Sequence, residues 1–143
     1  MNTSSKIRYL DTSVAMRILL NESPTAEKWI ADDSDSIYLS SRLLEAELVR
    51  NYKRMGKDLS EIERVTKDVL WANVDNELVD EAAALEPVIK TLDAMHLATA
   101  LRLAKSSHVT VITHDAQMSR AAKELGLEVI DPVTDDPNRA PVA

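Results

Sequence analysis

The run Val109-Thr110-Val111-Ile112-Thr113-His114-Asp115, with the residues that follow it to Ile130, sets the architecture of this chain. Val109 to Ile112 are β-branched and short enough for a strand. Met118, Ala121, Ala122 and Leu125 then recur at i, i+3, i+4 and i+7, the period of an amphipathic helix. Gly126 ends that helix, and Leu127 to Ile130 reads as a further strand. A strand, a crossover helix and a second strand make a parallel pair. Parallel sheets need helices on both faces.

Working outward, the same alternation extends to the N-terminus. Asp93 to Ala104 is apolar almost all round, with Leu97, Ala98, Ala100, Leu101, Leu103 and Ala104, so it is expected to be a buried helix. Ile7 to Leu10 reads as a strand and Thr12 to Leu20 as a helix, with Thr12 or Ser13 able to cap it. Pro24 opens a second helix, and Ile37 to Leu39 is a second strand. Ser40 or Ser41 can cap a long helix that runs to Met55 and stops at Gly56. Ser60, with Glu63 three residues on, fits a capping box for a further helix. Val74 falls in a weak third strand, and Leu78 to Leu85 is helical up to the break at Pro87. The whole pattern is α/β, without internal repeats.

A length of 143 residues suits one domain, expected over residues 1–132, with 133–143 as a flexible tail. Hydrophobic residues at 45% and charged residues at 29% are those of a globular chain rather than a disordered one. Cysteine is absent, which excludes a disulfide scaffold, thiolate zinc and a cysteine nucleophile. No stretch resembles a membrane span or a signal peptide; Val14 to Leu20 is interrupted by Arg17. A cytoplasmic protein is expected. Seventeen Lys and Arg against 24 Asp and Glu give a net charge of −7. That charge argues against a general nucleic-acid coat, which needs a basic surface, but not against a local basic stripe.

In open parallel sheets, ligands bind beyond the carboxyl ends of the strands. Asp11 and Asp115 stand at two of those ends, and Asp93 starts the buried helix. Singly, each is as good a helix cap as a functional acid. Together they are harder to dismiss, because neighbouring ionised carboxylates repel unless a cation neutralises them. With oxygen donors alone, Mg²⁺ or Mn²⁺ is the natural choice. Such a site can polarise a phosphate and activate water.

Four stretches resemble the motifs of the PIN-domain family. Ile7-Arg8-Tyr9-Leu10-Asp11-Thr12-Ser13 is similar to its opening, and Glu47-Leu48-Val49-Arg50 to its helix-borne Glu. Leu92-Asp93-Ala94-Met95-His96-Leu97-Ala98-Thr99-Ala100 is similar to its third acidic motif. Val111-Ile112-Thr113-His114-Asp115, followed by Ala121-Ala122 and Leu125-Gly126-Leu127, is similar to its fourth. The order of the acids, and the gaps of 36, 46 and 22 residues between them, resemble the small VapC-type toxins. The resemblance spans residues 7 to 132 and departs mildly at His114, where the family often has Tyr or Asn.

This resemblance implies a five-stranded parallel sheet in the order 3-2-1-4-5, flanked by helices. It implies a metal-dependent endoribonuclease, held inactive by a VapB-like antitoxin and commonly dimeric. Asp11, Glu47, Asp93 and Asp115 would be the catalytic acids and the ligands of Mg²⁺ or Mn²⁺. Thr12, Ser13 and Thr113 would orient ligands or water from behind them. Periodicity does not choose between Glu45 and Glu47, which lie about 200° apart on their helix; the apolar stripe of Leu44, Leu48, Tyr52 and Met55 lies nearer Glu45. The resemblance selects Glu47, whose plain alternative is an ion pair with Arg50. His96, three residues after Asp93, is either a further ligand or a hydrogen-bonded structural residue.

Arg50, Lys53 and Arg54, at helical spacings, form either a solvated face or a rim for RNA phosphates. With three Tyr, two Trp and no Phe, there is no aromatic platform for stacked bases. Two competing readings use a similar frame. A receiver-type signalling module would want an early acid pair and a late Lys, and a haloacid-dehalogenase-like phosphatase would want Asp at position 13, where Ser13 stands. A non-catalytic binding partner of the same fold would have no need of all four acids.

Overall fold

The computed structural model of the chain describes residues 6–134. Five strands, β1 (Lys6–Leu10), β2 (Ile37–Ser41), β3 (Leu70–Ala72), β4 (His108–Ile112) and β5 (Glu128–Ile130), form one sheet. Their order is β3-β2-β1-β4-β5 and every pairing is parallel. This is the order implied by the resemblance. It differs from the 2-1-3-4-5 order of receiver-type domains, so that reading falls. In the centre, Leu10 lies opposite Ile112, which brings the carboxyl ends of β1 and β4 level.

The helices are α1 (Thr12–Leu19), α2 (Pro24–Asp32), α3 (Arg42–Met55), α4 (Glu63–Thr66), α5 (Asn76–Ala83), α6 (Thr91–Ala104) and α7 (Ala116–Glu124). They cover the sheet from two sides. On one, Leu10 and Ile112 pack with Val14, Ile18, Leu44, Leu48 and Tyr52 from α1 and α3. On the other, Ile7, Tyr9, Val109 and Val111 pack with Leu97, Met118, Ala121 and Ala122 from α6 and α7. The alternation of Tyr9 and Leu10, and of Val111 and Ile112, between the two cores is the period-two pleat of a strand buried on both faces. Residues 94 to 100 of α6 are buried without interruption, as its all-round apolar sequence requires.

Local expectations are met at Ser41, which caps α3 by accepting from the Leu43 N–H, and at Gly56, whose φ of 68° closes that helix in the left-handed region. Four need correction. Asp11, not Thr12 or Ser13, occupies the N-cap of α1 and makes no capping bond, because both hydroxyls are spent elsewhere. Asp58 rather than Ser60 caps a 3₁₀ turn (Leu59–Ile62) that leads into α4. The third strand lies at Leu70–Ala72, short of Val74; Trp71 there lies against the α1–α3 core. Asp93 stands inside the first turn of α6, and Lys90 is the N-cap. From residue 135, the expected flexible tail lies outside the described residues.

Candidate active site

The four acids reach the carboxyl edge of the sheet by three routes. Asp11 is the residue after β1, and its N–H donates to the Ile112 carbonyl at 3.0 Å. Asp115 follows β4 and opens α7 as its N-cap. Glu47 is carried on α3, which leaves the end of β2, and Asp93 sits in the first turn of α6, which runs back towards the start of β4. Asp11 and Asp115 thus stand at helix N-termini, and Asp93 within one turn of one, where the backbone dipole favours negative charge.

Three of the acids share a pattern in which one oxygen is tied down by two donors. Asp11 Oδ2 accepts from Ser13 Oγ at 2.6 Å and from Thr113 Oγ1 at 2.7 Å. Glu47 Oε1 accepts from Thr12 Oγ1 at 3.0 Å and meets His96 Nε2 at 2.6 Å. Asp115 Oδ1 accepts from the N–H groups of Gln117 and Met118 at 2.8 and 3.1 Å. In each case the second oxygen has no hydrogen bond among the described residues. Pinning one oxygen fixes the plane of a carboxylate and leaves the other for an external partner. Thr12, Ser13 and Thr113, singled out from the sequence, all donate to these acids. The Ser13 and Thr113 hydroxyls are themselves held by the backbone N–H groups of His114 and Asp115.

Asp93 differs, since neither of its oxygens is hydrogen-bonded among the described residues. Burial, followed by the charges of Asp11, Asp115 and Glu47, and opposed in part by His96, pushes its carboxyl up to about 6. Asp93 therefore lies within electrostatic reach of the other three acids, without a Lys or Arg among the influences on it. Among the described residues, no three acids or histidines close into a complete metal-binding cluster. Magnesium does not require one, because it keeps several waters and uses one or two carboxylates plus substrate phosphate. An all-oxygen donor set with free oxygens and uncompensated charge fits a hard divalent cation.

Glu45 does not join this group. It pairs with Arg42 at 2.6 Å and faces a groove of about 800 Å³ on the opposite flank of α3. Glu47 turns to α1 and α6, and its Arg50 ion pair is not formed. Both glutamates flank the buried stripe of Leu44, Leu48 and Tyr52, whereas Met55, counted into that stripe from periodicity, is 43% exposed. Arg50 lines the groove, Lys53 is exposed, and Arg54 donates to Asn51 at 3.2 Å. His114 pairs with Asp131 at 2.9 Å. Sequence reasoning missed Tyr9, whose hydroxyl lies 2.7 Å from His96 Nδ1 behind Glu47. Its position two residues before Asp11 on the same strand was the available signal.

The family model described as PIN domain matches residues 8–124. Over 129 residues the chain is 30% identical to Ribonuclease VapC35 of Mycobacterium tuberculosis, covering 87% of this chain and 96% of that protein. It is 33% identical over 128 residues to Ribonuclease VapC46 of the same organism, with the same coverage. In fold it is similar to the crystal structure of VapBC2 from Rickettsia felis bound to a DNA fragment from their promoter. The TM-score is 0.69 at 12% identity, over 87% of this chain and 97% of that one.

Proposed function

The chain belongs to the PIN-domain family, with VapC ribonucleases as its relatives, and from that premise we propose that it is a divalent-cation-dependent endoribonuclease and the toxin of a toxin–antitoxin pair. One observation carries the reading. Asp93, pushed up to about 6, faces three further acids, each held by one oxygen with the other left open. Asp11, Glu47, Asp93 and Asp115 would hold Mg²⁺, or Mn²⁺ in its place. When bound, such an ion neutralises the acids, activates water and stabilises the leaving oxygen of a phosphodiester.

The chain's own residues supply position and charge. Ser13, Thr113 and Thr12 hold Asp11 and Glu47 in fixed orientations, and the α7 backbone does the same for Asp115. Arg50, Lys53 and Arg54 offer cationic contacts for RNA phosphates. The partner of the toxin would be a VapB-like antitoxin, which the VapBC pairing of the Rickettsia felis structure supports. The toxin itself would form a homodimer in the cytoplasm. Among the described residues, no helix is long and apolar enough to cross a membrane. Residues 1–132 would form the single nuclease domain, and 133–143 its tail.

The test is cleavage of total RNA by the purified, partner-free chain with Mg²⁺ or Mn²⁺, beside EDTA and an Asp11→Asn control. Cutting that needs the cation and disappears in Asp11→Asn is the expected result. A folded protein that binds Mn²⁺ but cuts none of the RNA in that pool would favour a non-catalytic binding role instead.

A further inference from the structure

Behind Glu47 lies a chain of hydrogen bonds that the cation reading does not use. His96 is 1% exposed and Tyr9 likewise 1%. Tyr9 Oη stands 2.7 Å from His96 Nδ1, and the two rings meet edge to face with centroids 5.7 Å apart. On its other side, Tyr9 Oη accepts the Ser41 N–H at 3.2 Å, at the N-terminus of the helix that carries Glu47. His96 Nε2 lies 2.6 Å from Glu47 Oε1. β1, the start of α3, α6 and Glu47 are thereby linked through two side chains.

Two protons in this chain can be assigned. A carboxylate oxygen only accepts, so His96 Nε2 carries the hydrogen. Burial pushes the Tyr9 phenol up to about 12, so it keeps its proton. The Ser41 N–H points at Tyr9 Oη, and His96 Nδ1 lies 2.7 Å from the same oxygen. No buried side-chain polar atom among the described residues lacks a partner.

We infer that Tyr9 and His96 are a positioning pair that fixes Glu47 Oε1, leaving Oε2 free for the cation, and that His96 is not itself a ligand. The inference rests on the cation reading above. Unlike Thr12, whose hydroxyl can rotate, the imidazole is a rigid donor with its far side clamped. Partners of this kind behind a metal ligand change cation affinity by about 10–100-fold when removed.

The test has two arms on the full chain. Nitrogen-15 NMR of the metal-free protein reads the hydrogens on the His96 ring directly, and Nε2 is expected to carry one. Mn²⁺ titration then compares wild type with His96→Leu, His96→Gln and Tyr9→Phe, with folding checked by circular dichroism. His96→Leu is expected to weaken Mn²⁺ binding about tenfold or more. His96→Gln, whose amide can donate to Glu47, should recover most of that loss. Should His96→Leu unfold, Tyr9→Phe decides, because it removes one oxygen and is expected to weaken binding several-fold. A bare Nε2, or Mn²⁺ affinity unchanged in the folded variants, overturns the inference and leaves the cation site standing. Wild type that binds no Mn²⁺ overturns the site and this inference together.

Discussion

Asp93 is the residue on which the charge balance of the site turns. Folding raises its carboxyl from the usual aspartate range to about 6, so the folded state holds the proton more tightly than the unfolded chain does. The stability tied to the neutral form is complete below about pH 4 and is lost as pH rises through 6. Asp93→Asn keeps a neutral side chain at every pH. In the presence of chelator near neutral pH, it is expected to be more stable than wild type by on the order of 1 kcal/mol, the shift being discounted for partial solvent screening. The gain should vanish near pH 4, and in saturating Mn²⁺ wild type should overtake the variant. Thermal melts under the three conditions check this; wild type and variant melting alike in chelator at both pH values would mean that burial and the neighbouring acids do not raise the Asp93 carboxyl. The position of Asp93 was legible in its motif, but its environment was not. Its neighbours lie 22 to 82 residues away in the chain, and no local period reports a distance of that kind.

At the scale of one element, α7 shows how a single acid serves two purposes. Asp115 caps the helix through Oδ1, while its other oxygen is unengaged among the described residues. Asn caps as well as Asp does, and Ala costs about 1 kcal/mol. Asp115→Asn is therefore expected to keep wild-type stability in urea while losing RNA cleavage. Asp115→Ala should lose cleavage and about 1 kcal/mol of stability as well. Equal stability of the two variants would show that the cap contributes nothing. The helix itself was readable from Met118, Ala121, Ala122 and Leu125, all on its buried side or close to it. The capping boundaries were less so. Thr12 and Ser13 are good caps by type, yet Glu47 and Asp11 compete for their hydroxyls from 35 residues away in one case and two in the other.

For the whole molecule, the question is how a chain of net charge −7 approaches RNA. Arg50 and Lys53 form no ion pair with any described residue, unlike Arg42 with Glu45 or Arg102 with Asp75. Arg64 is committed to the carbonyls of Ile18 and Leu19 at 3.0 Å, where it holds the end of α1. In an Asp11→Asn background, which leaves RNA intact, replacing Arg50 and Lys53 with Ala is expected to weaken binding. The slope of log affinity against log salt should fall in magnitude by about 1.4, since each of the two phosphate contacts on a single strand contributes about 0.7. Fluorescence anisotropy over a salt series measures it, and an unchanged slope would make these residues a solvated face.

Alternation of short β-branched runs with helical periods settled the α/β class, and the Pro and Gly signals settled the start of α2 and the ends of α3 and α7, because these depend on neighbours within one turn. Strand ends told where Asp11 and Asp115 would stand, since a parallel sheet puts its loops at one edge. The choice of Glu47 over Glu45 required the tertiary structure. Both flank the same apolar stripe, and only the packing of α1 and α6 against one flank of α3 decides which is turned inward. The relay from Ser41 through Tyr9 and His96 to Glu47 required it too. Tyr9 and His96 are 87 residues apart, and a hydrogen bond between them exists only once the sheet and α6 have closed over the same core. Local sequence encodes local geometry; the pairing of side chains across elements is a property of the packed core alone.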